Sequence, residues 1–79
     1  MQPIFKATIL SSKNVLFEGM VQSVFLPGDE GEFEVLAFHK AIISLLKQGI
    51  IIINNENSIV INKGVVRVNN NELVALVEE

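Results

Sequence analysis

Asp29, Glu30, Glu32 and Glu34 bring four carboxylates into six residues, and His39, the only imidazole of the chain, follows shortly after. Carboxylates near an imidazole are the raw material of nucleophilic, acid–base and metal chemistry. A Ser-His-Asp arrangement would have to join His39 to Asp29, the only Asp, and to one of five Ser residues; a metal site built on several His ligands is excluded. Glu30 and Glu32 have the residue types of a glycosidase pair, but such pairs face each other across a substrate cleft that a chain this small does not easily form. With Asp29 they could bind a hard cation such as calcium, yet their spacing departs from the twelve-residue calcium-loop pattern, and Glu34 belongs to an expected strand. Gly28 and Gly31 are followed by neither Lys-Ser nor Lys-Thr nor the start of a helix, so they read as turn glycines rather than a phosphate loop. The plainer reading is a solvated acidic rim beside a hydrogen-bonded His39 at a strand end or an interface. No catalytic, cofactor-binding or metal-ligating residue is expected, and the segment Leu26–Phe33 reads as a docking loop.

The chain that must hold this loop is short. Its 79 residues suffice for one small domain, residues 1–79, that buries about two-thirds of the surface its unfolded form exposes. Hydrophobic residues make up 49% and charged residues 19%, which supports a packed core with apolar surface to spare for a partner. There is no Cys, so neither a disulfide nor a thiolate metal site is possible. A net charge of −3, with six scattered Lys and Arg, lacks the basic surplus that phosphate contacts need, so nucleic acid is not an expected ligand. Met1–Leu10 lacks the pattern of an export signal, and the apolar run Gly49–Ile53 falls far short of the roughly 20 residues that cross a bilayer. Any membrane association would come through a partner.

Apolar residues alternate with polar ones at the period of a half-buried strand, and turn residues interrupt them at short intervals. Phe5, Ala7 and Ile9 share one face of a first strand, with Lys6 and Thr8 on the other; Ser11–Asn14 then turns the chain into a second strand holding Val15 and Phe17. Gly19 is expected to allow a bend before a third strand, Val21–Leu26, which Pro27-Gly28 stops. Phe33 and Val35 alternate with Glu32 and Glu34 on a fourth. The segment His39–Leu46 reads as extended. Ile50–Ile53, apolar and β-branched throughout, is expected to be buried on both faces and to form a hairpin with Ser58–Asn62 through Asn54–Asn57. Lys63-Gly64 is expected to turn into Val65–Val68, and Asn69–Asn71 into a last strand with Leu73, Ala75 and Val77 on one side. The fold class is all-β, a small and mostly antiparallel β-sandwich.

The run Leu26-Pro27-Gly28-Asp29-Glu30-Gly31-Glu32-Phe33, followed by Leu36, His39 and Leu46-Lys47-Gln48-Gly49, resembles the amino-terminal domain of the epsilon subunit of F-type ATP synthases. The pattern there is close to L-P-G-x-E-G-E-F-G-I-L-P-G-H-A-P-L-L-T-x-L-K-P-G. Val15-Leu16-Phe17-Glu18-Gly19 is similar to that family's V-x-F-E-G, and Lys63–Val68 with the closing hairpin to its G-G-F-x-E-V and final strand; the likeness is collinear from Phe5 to Val77. Glu34, Ala37, Phe38, Lys40 and Ala41 depart from it, standing where the pattern has Gly, Pro, Gly, Ala and Pro, so the backbone around His39 is expected to differ. The family continues into a pair of helices, whereas this chain stops at Glu79 and reads as a truncated or a naturally short form.

The resemblance implies a β-sandwich of about ten short strands in the central stalk, seated on the ring of c subunits and turning with the gamma subunit. It implies no catalysis and no cofactor. It implies that Asp29, Glu30, Gly31 and Glu32 face the c-ring, with Glu32 foremost, and that His39 and Ser44 lie toward gamma. The location implied is the cytoplasmic face of the bacterial inner membrane, reached through the complex, or the organellar equivalent. The rival reading is a small β-sandwich binding module for protein or ligand; a carbohydrate binder would normally show Trp or Tyr platforms, and the chain has neither.

Overall fold

Alternation at a period of two becomes nine strands in the computed structural model, which describes residues 3–79: β1 (Phe5–Leu10), β2 (Val15–Val21), β3 (Ser23–Leu26), β4 (Phe33–Leu36), β5 (Ile42–Leu46), β6 (Gly49–Ile53), β7 (Asn57–Ile61), β8 (Lys63–Asn69) and β9 (Glu72–Glu78). Of the domain expected over residues 1–79, Met1 and Gln2 lie outside the described residues. The strands form a five-stranded sheet in the order β2-β1-β9-β8-β5 and a four-stranded sheet in the order β4-β3-β6-β7. Every pairing is antiparallel except β1 with β9, which run parallel in the middle of the larger sheet.

The core lies between the sheets and is built from the inward residues that the alternation selects. Phe5, Ala7 and Ile9 of β1, Leu73, Ala75 and Val77 of β9, and Val66 and Val68 of β8 meet Val24, Leu26, Val35, Ile51, Ile53 and Ile61 from the other sheet. Each fully buried Val, Leu, Ile or Phe contributes about 1.5–3 kcal/mol of transfer free energy, and without a disulfide this packing is what holds the sandwich together.

Three local expectations are corrected. Gly19 does not bend the chain: β2 runs through it, paired with Ala7. The break falls at Gln22, where the chain leaves one sheet for the other; its N–H donates to Asn54 Oδ1 at 2.7 Å, as does that of Ser23 at 3.2 Å, because a residue between two sheets has no ladder partner. Lys63-Gly64 is not a turn but the start of β8. The second crossing is Asn62, whose N–H donates to the Glu78 carbonyl at 2.7 Å and whose Nδ2 donates to that of Glu79 at 3.0 Å. Ile50–Ile53 is not buried on both faces: Ile51 and Ile53 point inward, while Ile50 is exposed and Ile52 half-buried, because nothing covers the outside of the four-stranded sheet among the described residues.

Both expected hairpins form. β6 and β7 pair from Gly49–Ile61 to Ile53–Asn57, around a turn in which Asn54 and Asn55 take positive φ. In the second, Asn69 pairs with Glu72 and the two residues between, Asn70 and Asn71, both have positive φ, as a primed two-residue turn demands.

Candidate interaction surfaces

The acidic loop has a buried root and a solvated tip. Pro27 and Gly28 are buried as the chain leaves β3. Gly28 bridges Leu46, the Asp29 N–H donates to the Leu45 carbonyl at 2.9 Å, and the Lys47 N–H donates to the Pro27 carbonyl at 2.9 Å. The root is therefore stitched from the four-stranded sheet to β5 of the five-stranded sheet. Gly28 can only be glycine here, since a Cβ would sit 2.5 Å from the Gly31 carbonyl oxygen and 2.8 Å from the Phe33 ring. Gly31, at φ 137°, closes the turn with its N–H on the Gly28 carbonyl. Beyond that root Asp29, Glu30, Gly31 and Glu32 are all exposed. The ion pairs among the described residues, Lys6–Glu18 at 3.7 Å and Lys63–Glu78 at 3.8 Å, involve none of the loop carboxylates. The rim is a rigidly mounted, uncompensated negative charge.

His39 lies at the other end of the sandwich. The loop that carries it, residues 37–41, is tied to the β8–β9 turn by the Phe38 N–H on Asn71 Oδ1 at 2.7 Å, whereas the acidic loop is tied to the far end of β5. A His39–Asp29 dyad therefore does not assemble. His39 Nδ1 lies 2.7 Å from the Lys40 carbonyl oxygen; that nitrogen carries the donor hydrogen, which leaves Nε2 free. Ser44 is half-buried in the middle of β5 and opposite the buried Val66, so it shares the inward face, with Oγ donating to the Leu45 carbonyl at 3.2 Å. Among the described residues no three His, Asp or Glu side chains converge as a metal site. A groove of about 740 Å³ at the acidic end is lined by Ser11, Lys13, Asp29, Leu45, Lys63 and Glu78 among others, and His39 is not among its lining residues.

Two features were missed by the sequence reading. On β5, Ile43 and Leu45 face solvent rather than Ser44, at 75% and 64% exposure. Through the ladder Leu45 pairs with Val65, Val65 with Leu76, Leu76 with Leu10 and Leu10 with Val15. This is an apolar row crossing all five strands on the outside of the sheet. It was legible in principle, because Ile42–Leu46 has no charged residue on either face. The second feature is Phe38, a largely exposed aromatic beside His39.

Residues 4–79 match the family described as ATP synthase, Delta/Epsilon chain, beta-sandwich domain. An ATP synthase epsilon chain of Sulfurimonas denitrificans is 46% identical over 77 residues, covering 92% of this chain and 59% of that protein. One of a Nitratiruptor species is 47% identical over 77 residues, covering 92% of this chain and 60% of that protein. The chain thus spans about 60% of the length of these relatives. A chain in a structure of the Euglena gracilis mitochondrial ATP synthase, containing OSCP, F1 and the c-ring, superposes with a TM-score of 0.85 at 22% identity, covering all of this chain and 54% of that one. Another, from the central stalk and c-ring of the Tetrahymena thermophila enzyme, gives 0.81 at 13% identity, with 99% and 66% covered. These two likenesses bear on the fold alone.

Proposed function

Since the chain belongs to the family of ATP synthase delta/epsilon-chain β-sandwich domains, we propose that it is a non-catalytic central-stalk subunit, a single β-sandwich that links gamma to the c-ring and supports the coupling of proton flow to ATP synthesis. It reaches the membrane, at its cytoplasmic face in a bacterium, only through that complex. The observation that carries this reading is the acidic loop: Asp29, Glu30 and Glu32 are exposed and unpaired, while their backbone is fastened to both sheets. Unpaired carboxylates on a stiff mount suit a part that must keep register against a basic partner, because charge complementarity steers and orients an interface more than it tightens it. Apolar area has to hold the joint under torque, and the Leu45–Val65–Leu76–Leu10–Val15 row offers it, starting in the groove that Leu45, Val65 and Leu76 share with Asp29 and crossing the sheet toward gamma. Transmission of torque asks no bond-making of any side chain, and among the described residues the His39 ring has one hydrogen-bond partner, the Lys40 carbonyl.

The test is charge reversal at the tip. Glu32→Lys should weaken assembly onto isolated c-ring on the order of tenfold at low salt, with the difference shrinking as salt rises, and should lower coupled proton pumping in reconstituted enzyme. Unchanged pumping and unchanged co-purification of gamma and c subunits would remove this loop from the ring interface.

A further inference from the structure

Phe38 combines an unfavourable backbone, an exposed ring and an enforced conformation. Its φ of 63° lies in the left-handed region, where Cβ crowds the backbone and aromatic residues are seldom found. Among the described residues the other non-glycine positions with positive φ are Asn54, Asn55, Asn70 and Asn71, of the type that tolerates it best. The ring finds little in the fold to offset this, for Phe38 is 77% exposed. Yet the conformation is held. Asn71 Oδ1 accepts the Phe38 N–H at 2.7 Å while Asn71 Nδ2 donates to the Ile4 carbonyl at 3.1 Å, and the Asn71 carbonyl accepts the Lys6 N–H at 3.3 Å. The pattern this loop resembles has Gly at the same place, so the backbone shape alone does not call for an aromatic. Strain held without an internal return concentrates at functional sites, and an aromatic presented on a fixed backbone has the form of a binding anchor.

We propose that Phe38 is such an anchor and inserts into an apolar pocket on the gamma subunit. This rests on the central-stalk reading above, together with the resemblance that implies His39 lies toward gamma. The surroundings define the pocket. Leu36, exposed at the end of β4 and joined to this turn by the His39 N–H on its carbonyl at 3.3 Å, widens the apolar contact. His39 and Lys40 follow the ring, and Lys40 is exposed and in neither ion pair among the described residues. The receiving surface is therefore apolar at its centre and carboxylate-bearing at its rim.

Titration of the chain with purified gamma tests this, using Phe38→Asn and Phe38→Tyr. Phe38→Asn should bind about 30-fold more weakly, the loss of one dominant contact, and Phe38→Tyr should stay within about threefold of the parent. The thermal midpoint of the free Phe38→Asn chain should rise by about 4–8 °C, because Asn takes the same φ with less strain. Full affinity in Phe38→Asn would overturn the anchor and leave the gamma assignment standing. A lowered midpoint would also overturn it, by showing that the ring serves the fold. Failure of the parent chain itself to bind gamma would overturn both.

Discussion

Asn54 replaces a missing piece of ladder. Where the chain steps between sheets at Gln22, two backbone donors lose their strand partners, and one side-chain oxygen, contributed by a turn more than thirty residues away, accepts both. The Asn54 backbone is itself at φ 55°, so Asn is chosen for its oxygen and for its tolerance of that conformation together. Removing the oxygen strands a part-buried donor, at a cost of about 1–3 kcal/mol. In urea denaturation Asn54→Ala should be the less stable of two variants, since it loses the bonds and strains φ, and Asn54→Gly should recover part of the loss. An Ala variant as stable as the parent would show that water serves these donors equally well. The Asn-rich stretches were legible in the sequence as turns, because turn chemistry is local. Their use as clamps was not, because the donors they satisfy are set by how distant segments meet.

The two sheets show where strand patterning informs and where it misleads. β1 and β4 carry charged residues on one side, so their faces could be assigned from sequence; Ile50–Ile53 offers no polar residue to break the symmetry, and an outer face that is itself apolar was read as a second buried one. The same ambiguity hid the outward direction of Ile43 and Leu45, which flank the inward-facing Ser44. β5 is an edge strand without charge, proline or bulge; the acidic loop covers its backbone at Leu45–Lys47, and its apolar side stays open to a partner. Leu45 is the test residue because it is exposed and begins the apolar row. Leu45→Lys should change stability by no more than about 0.5 kcal/mol, as exposed substitutions do, and yet weaken gamma binding on the order of tenfold. A change in stability without a change in gamma affinity would assign the row to folding instead.

At the scale of the molecule, the first and last strands lie side by side. The parallel pairing of β1 with β9 joins Lys6–Leu10 to Glu72–Leu76, so the sheet cannot close until nearly the whole chain is present, and one rigid body then carries two loops tied to different parts of it. The acidic loop is fixed to the Leu46 end of β5, and the Phe38–His39 loop to the turn beyond its Ile42 end. A part that links two neighbours needs this separation, because each contact can then be made without disturbing the other. Sites without shared partners add within about 0.3–0.5 kcal/mol. Measured against a complex of gamma with the c-ring, the double variant Glu32→Lys with Phe38→Asn should lose the sum, in free energy, of the two single losses. Salt should distinguish the two components: the Glu32→Lys loss fades as screening rises, whereas the Phe38→Asn loss, which comes from apolar contact, persists. A double variant no weaker than the worse single one would mean that both loops grip the same partner, and the picture of a link with one neighbour at each end would fall.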